Sequence, residues 1–149
     1  MDYFKAPVTF KIQKVLRYIK IFGLSRTYTK VRAQQHMKSK GDFDGDSWVN
    51  PAAKDNGDIA IIGCGNFAFS TIAYYLKKSS AGKIKYALDI KKSQARSLAE
   101  KYNVYCATIN FDLILEDKNI RIIYIASNHH SHAAYALKAL EAGKDVHIE

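Results

Sequence analysis

From Ile59 onward, short apolar runs alternate with stretches in which apolar residues recur every three or four positions. Ile59 to Ile62 form one continuous apolar run of strand length. A helix is expected from about Asn66 to Lys78, because Phe69, Ile72, Ala73 and Leu76 fall on one helical face. Residues 84–88 read as a second strand. Ser93 is placed to cap the next helix, in which Ala95, Leu98, Ala99 and Tyr102 share a face. Residues 104–107 read as a third strand and 111–116 as a short helix. Residues 122–126 are the fourth strand and the most apolar. A helix over about 131–142 is expected to bury Ala133, Ala136, Leu137 and Leu140 and to stop at Gly143. Residues 145–148 give a fifth strand. Alternation of strand and helix at this period predicts parallel pairing through right-handed crossovers. The expected fold class is α/β, a doubly wound parallel sheet of strand order 3-2-1-4-5 with residues 1–58 outside it.

The first 40 residues have a different pattern. Ile12, Val15, Leu16 and Ile19 mark a helix face surrounded by Lys11, Lys14, Arg17 and Lys20, and Gly23 is placed to end that helix. Ser25 is placed to cap a second, weaker helix from about Arg26 to His36. Residues 41–58 are rich in Gly, Asp, Asn and Pro, show no apolar period, and read as a linker. The expected organisation is a basic helical extension over 1–40, an acidic, Gly-rich linker over 41–58, and an α/β domain over 59–149.

Charge follows these divisions. The net charge is +9, and residues 1–40 alone hold ten Lys/Arg against one acid. Residues 41–58 hold one Lys against five acids, and residues 59–149 hold twelve Lys/Arg against eight acids. Attraction to an anionic partner is therefore local to the extension. The 149 residues, 48% hydrophobic and 25% charged, suit one soluble domain with a real core. No apolar run approaches the roughly 20 residues of a membrane span. Lys5, Lys11, Lys14, Arg17 and Lys20 interrupt the region where a secretory signal needs an apolar stretch, so a cytoplasmic protein is expected. Cys64 and Cys106 are then expected as free thiols.

The chemistry centres on the turn between the first strand and the first helix. Gly63-Cys64-Gly65-Asn66-Phe67-Ala68 is a G-x-G-x-x-A fingerprint for a dinucleotide, in the strand–turn–helix setting of a Rossmann fold. Gly63 permits the tight turn, Gly65 lets backbone approach a pyrophosphate, and Ala68 lets the helix pack closely on the strand. The helix N-terminus offers unpaired N–H groups and a positive dipole end to the phosphates. Asp89, 26 residues past Gly63, ends the second strand and is placed to accept from the ribose hydroxyls of an adenosine. A carboxylate there repels a 2′-phosphate and favours NAD. Lys91 and Lys92 follow it and keep NADP open.

Residues 59–149 resemble the nucleotide-binding domain of the Gfo/Idh/MocA oxidoreductases. Five segments carry the resemblance in order: IIGCGNFA (61–68), ALDI (87–90), SLAEKYNV (97–104), IIYIASNHHSHA (122–133) and ALKALEAGKDVHIE (136–149). It implies cofactor contacts at Gly63, Gly65, Asn66, Phe67, Ala68, Asp89, Ile90, Ser127, Asn128, His132 and Glu149. Asn128 stands where the family usually has proline. Glu149 matches the Glu of the family's Glu-Lys-Pro motif, and the Lys, to which a role in proton transfer is ascribed, lies beyond Glu149. No catalytic residue is assigned within the chain for that reason. The resemblance further implies a C-terminal substrate domain, absent from these residues, through which the full-length parent forms a homo-oligomer. The parent is expected to transfer hydride between NAD or NADP and a sugar, polyol or nucleotide-sugar hydroxyl. The 149 residues alone are then expected to bind cofactor without turnover. The rival reading is a non-catalytic nucleotide-binding module whose basic helix docks a partner or an anionic surface.

Other clusters yield plainer readings. His129, His130 and His132 crowd a strand-to-helix turn with no carboxylate or Cys at ligand spacing, so no metal is assigned. Asp42, Asp44 and Asp46 have calcium-loop spacing, but Ser47 stands where that loop needs Gly and Ala53 where it needs Glu. The basic helix is expected mainly to pack on its own or a partner's domain. A membrane surface is a weaker reading, and nucleic acid, with no accompanying motif, weaker still.

Overall fold

The computed structural model describes residues 7–79 and 82–149. Residues 1–6 of the expected basic extension, Lys5 among them, and residues 80–81 lie outside the described residues. In chain order the elements are α1 (Val8–His36), β1 (Ser47–Val49), β2 (Ile59–Ile62), α2 (Ala73–Ser79), β3 (Ile84–Leu88), α3 (Lys92–Tyr102), β4 (Cys106–Thr108), α4 (Asp112–Glu116), β5 (Ile122–Ile125), α5 (His129–Glu141) and β6 (Asp145–Ile148). A π-helical turn over Ala68–Ile72 leads into α2.

The apolar runs pair in parallel, β2 with β3 and β5, β3 with β4, and β5 with β6. The five expected strands stand in the order 3-2-1-4-5, as β4-β3-β2-β5-β6, but the sheet as a whole differs from the expected arrangement by a further strand at its edge. It has six strands in the order β1-β4-β3-β2-β5-β6, and it is mixed, because β1 pairs antiparallel with β4. The added edge strand comes from within 41–58, so that segment is not merely a linker and residues 1–58 do not all lie outside the sheet. Trp48 opposite Ala107 and the Ser47 hydroxyl bonded to Thr108 Oγ1 at 2.8 Å fix its register.

Both sheet faces are covered, as a mainly parallel sheet requires. Ile59, Ile61, Ala87 and Ala107 join Ala73, Leu76 and Leu98 in one core layer, which also takes in Ala33 of α1 and Phe43. Ala60, Ile62, Leu88 and Ile123 join Ile114, Ala136 and Ala139 in the other. Here α5 differs from expectation. Ala133 is exposed, Leu137 is 61% and Leu140 58% exposed, while Ala136 and Ala139 are buried. Both sides of this helix carry apolar residues, and the small alanines give the closer approach to the sheet. Two expected caps are also absent. Ser93 lies inside α3, whose start has no side-chain cap, and the Ser25 hydroxyl bonds Tyr74 Oη at 3.1 Å.

α1 is one helical run broken at Gly23, where φ is +82° and ψ 166°. That backbone region suits glycine alone among the residues of the helix. The limb after the break docks on the domain. Arg26 Nη2 donates to Thr71 Oγ1 at 2.9 Å, and its guanidinium lies 5.1 and 5.0 Å from the ring centroids of Tyr74 and Tyr75. Ala33 and His36 are buried.

At the amino ends of the strands, Ile59 pairs with Ile84 but Ala60 with Tyr86, so Lys85 forms a bulge. Its ammonium is buried between Asp55 at 2.5 Å and Asp117 at 2.6 Å, and Tyr86 Oη donates to Asp117 at 3.0 Å. Burial presses the Lys85 pKa down, but its bonds to Asp117 and Asp55 outweigh it and hold the pKa up. A cavity of about 970 Å³ opens here beside Asp58 and Lys83. It lies at the opposite end of β2 from the glycine turn.

Candidate functional site

The fingerprint turn leaves the carboxyl end of β2. Gly63 has φ +84°, and a Cβ there would lie 2.5 Å from the Ser127 backbone nitrogen and 2.6 Å from the Ala126 carbonyl. Neither is a flexible side-chain end, so this position excludes every other residue. The β2 and β5 ends are drawn together at the same place, where Ala126 N donates to Ile62 O at 2.7 Å. Gly65 has no atom within 4 Å of a built Cβ. Packing therefore does not require this glycine, and its missing side chain leaves open space in front of the turn. The helix after it, starting at Asn66, presents its first N–H groups without intrahelical partners. Ala68 is buried and Phe67 is 45% exposed. The Asn66 side chain accepts a long bond from Ser70 Oγ at 3.5 Å.

Asp89 lies beside this turn and is fixed by it. One carboxylate oxygen accepts from Cys64 N at 2.7 Å and the other from Lys91 N at 2.8 Å. Each oxygen keeps a lone pair for a further donor. Ile90 is 81% exposed at the rim. Lys92 is turned away, with its ammonium donating to Phe43 O at 3.1 Å. Lys91 is exposed.

The β5–α5 turn is braced internally. Ser127 Oγ lies 2.8 Å from Ser131 Oγ, Ser131 Oγ donates to Asn128 O at 2.8 Å, and His132 Nε2 donates to Ser127 O at 2.9 Å. Asn128 is exposed at the helix start. Glu149 follows β6, its backbone N–H bonded to Ile125 O at 3.0 Å and its carboxylate 3.1 Å from His147 Nε2. The turns bearing Gly63, Asp89, Ser127 and Glu149 thus stand together at the carboxyl ends of β2, β3, β5 and β6, where open α/β sheets bind ligands.

A residue that the sequence reading missed reaches the turn from outside. His36, at the end of α1, donates from Nε2 to Cys64 O at 2.6 Å. Its Nδ1 lies 3.0 Å from Ser97 Oγ on α3, and its ring stacks on Phe69 with centroids 4.2 Å apart. Burial lowers its pKa, against the opposing pull of the Cys64 carbonyl and the Asp89 charge. No sequence period marks His36, because its partners lie 28 and 61 residues onward. The Cys64 thiol is fully buried beside Leu88 O, and burial, with the Asp89 charge, pushes its pKa well up, which suits packing and not nucleophilic chemistry.

The sheet, the glycine turn and the aspartate after β3 define a Rossmann-type nucleotide-binding domain. The oxidoreductase family Gfo/Idh/MocA, described as an NAD-binding Rossmann fold, matches residues 58–149, and the chain belongs to that family. Over 91 residues the chain is 32% identical to Oxidoreductase P35 of Formosa agariphila, a match covering 60% of this chain and 28% of that protein. The fold is similar to KijD10, a 3-ketoreductase from Actinomadura kijaniata solved with NADP and TDP-benzene, with TM-score 0.56 and 20% identity over 60% of this chain and 27% of that one. It is also similar to GenD2 from gentamicin A biosynthesis, solved with NAD, with TM-score 0.58 and 20% identity over 68% and 29% of the two chains. The chain thus spans little more than a quarter of the length of these relatives. Among the described residues no helix is long and apolar enough to cross a membrane.

Proposed function

We infer that the chain binds a nicotinamide dinucleotide at the carboxyl ends of β2, β3 and β5, as the cofactor half of an oxidoreductase. The observation that carries this reading is the contrast within the fingerprint. Gly63 is fixed by backbone contact with Ser127, whereas Gly65 faces open space at a helix start, a cradle that any side chain would fill. Pyrophosphate would be held by the N–H groups over Gly65 to Ala68, with Asn66 and Phe67 flanking it. The adenosine ribose would be held by Asp89, with Ile90 at the rim. Ser127, Asn128, His132 and Glu149 would line the nicotinamide half.

NAD is the favoured form. Asp89 is held in place by two backbone N–H groups, and Lys92 is engaged by Phe43 O, which leaves Lys91 as the nearby cation for a 2′-phosphate. When bound, a nicotinamide supplies a hydride donor or acceptor. The residues of this chain bind and orient it. The parent protein is proposed to act on a sugar, polyol or nucleotide-sugar hydroxyl, a reading supported by family membership and by KijD10, solved with a TDP ligand. Calorimetric titration with NAD, NADH, NADP and NADPH tests the cofactor reading. Binding is expected with the non-phosphorylated pair tighter. A folded chain that binds none of the four sinks it.

A further inference from the structure

The break at Gly23 divides α1 into two limbs with different fates. The second limb docks through Arg26, Ala33 and His36. The first limb does not bury its apolar side. Val8 is 69% exposed, Ile12 53%, Leu16 59% and Phe22 52%. Spaced by four, four and six residues, they fall with Val15 and Ile19 on one arc of the helix. Gln13, Arg17 and Lys20 occupy the opposite arc, where Phe10 and the 60% exposed Ile21 stand between Arg17 and Lys14, and Lys11 borders the apolar arc. From Tyr3 to Gly41 there are ten Lys or Arg and no Asp or Glu.

We propose that the limb from Val8 to Phe22 is a docking surface for an anionic lipid bilayer, lying in the interface plane with its apolar arc among the acyl chains. Two features select this occupant together. The apolar arc needs a non-aqueous phase, and the uninterrupted positive charge needs an anionic one; an anionic bilayer surface supplies both. Phosphates of a nucleic acid would neutralise the cations but leave Ile12, Leu16 and Phe22 in water. A second copy of the limb would cover the apolar arc but bring together two helices of the same sign. The limb is not long and apolar enough to cross the bilayer, so the chain would lie on it. This inference does not depend on the cofactor reading.

The test is flotation of the full chain with vesicles of phosphatidylcholine alone and with about 30% phosphatidylglycerol. The expected result is binding to the anionic vesicles at least about ten-fold tighter than to the neutral ones, falling steeply from about 0.1 M to about 0.5 M salt. Ile12→Asn with Leu16→Asn keeps the charge and changes only exposed positions. It is expected to weaken anionic-vesicle binding about ten-fold or more while leaving the melting temperature unchanged. Arg17→Gln with Lys20→Gln is expected to weaken it as well. No binding to anionic vesicles overturns the proposal, as does equal binding to both compositions. Binding indifferent to the Ile12/Leu16 pair shows charge adsorption alone and overturns it too. Tighter binding to a DNA duplex or to an acidic protein than to the vesicles assigns the surface to that partner instead.

Discussion

Replacing His36 by alanine tests whether the N-terminal helix belongs to the nucleotide-binding fold. The ring is 3% exposed, with both nitrogens bonded and one face on Phe69. Losing one buried and one part-buried hydrogen bond removes about 1 kcal/mol each. Vacating the ring's space beside Phe69 adds about 1–2 kcal/mol. The sum is about 3–4 kcal/mol, or a fall of about 10 °C in melting temperature for a chain of this size. The pH dependence is the sharper signature. Burial lowers the His36 pKa from its ordinary 6.5, so below pH 6.5 the unfolded chain takes up this proton before the folded one. Stability from this group is complete above 6.5 and declines as pH falls toward the folded pKa, with a slope of at most about 1.4 kcal/mol per pH unit. Asp117, whose pKa is lowered, loses its contribution only below its ordinary 3.8, in a separate window. Thermal melts of wild type and His36→Ala between about pH 5 and 8 should therefore differ in slope below 6.5. His36→Gln, whose amide can still donate to Cys64 O, should recover part of the loss. A His36→Ala protein melting within about 2 °C of wild type, with the same pH slope, would refute the reasoning.

Three other perturbations probe the remaining features. Gly63→Ala combines an unfavourable φ with a backbone clash at Ser127 and should destabilise by at least about 2–3 kcal/mol in denaturant titrations, whereas Gly65→Val should leave stability within about 1 kcal/mol and abolish nucleotide binding by calorimetry. Asp89→Asn should weaken NAD about ten-fold or more and NADP less, measured by NADH and NADPH fluorescence titration. Lys85→Met leaves Asp117 buried without its cation and should destabilise by roughly 3 kcal/mol in chemical denaturation.

The parts of the fold that were legible in the sequence are those where one pattern excluded the others. The run Ile59 to Ile62 is too short for a helix and buried on both faces, and the glycines at 63 and 65 follow it at once. The aspartate at 89 was legible for the same reason, because it ends a strand of known length. What escaped the reading depends on polar or very short features. β1 is three residues among turn formers, and its pairing with β4 appears only when Thr108 arrives 61 residues later. The docked limb buries Arg26, Thr27, Thr29 and His36 alongside Ala33, so it has little apolar period to read. In α5 two apolar faces competed, and the periodicity favoured the leucines while the close sheet contact took the alanines.

The contacts of the N-terminal segment also set an order of events during synthesis. Arg26 finds Thr71 45 residues on, while His36 finds Ser97 and Ser47 finds Thr108 61 residues on. At roughly 5–20 residues per second, about 3–12 s separate the emergence of His36 from that of Ser97. Within that interval the limb's first partners emerge, Cys64, Phe69 and Thr71, and its seat is completed only when Ser97 follows. The stretch translated early thus completes its contacts late: a nascent chain halted before Cys64 would carry the helix undocked, and one halted before Thr108 would lack the pairing of β1.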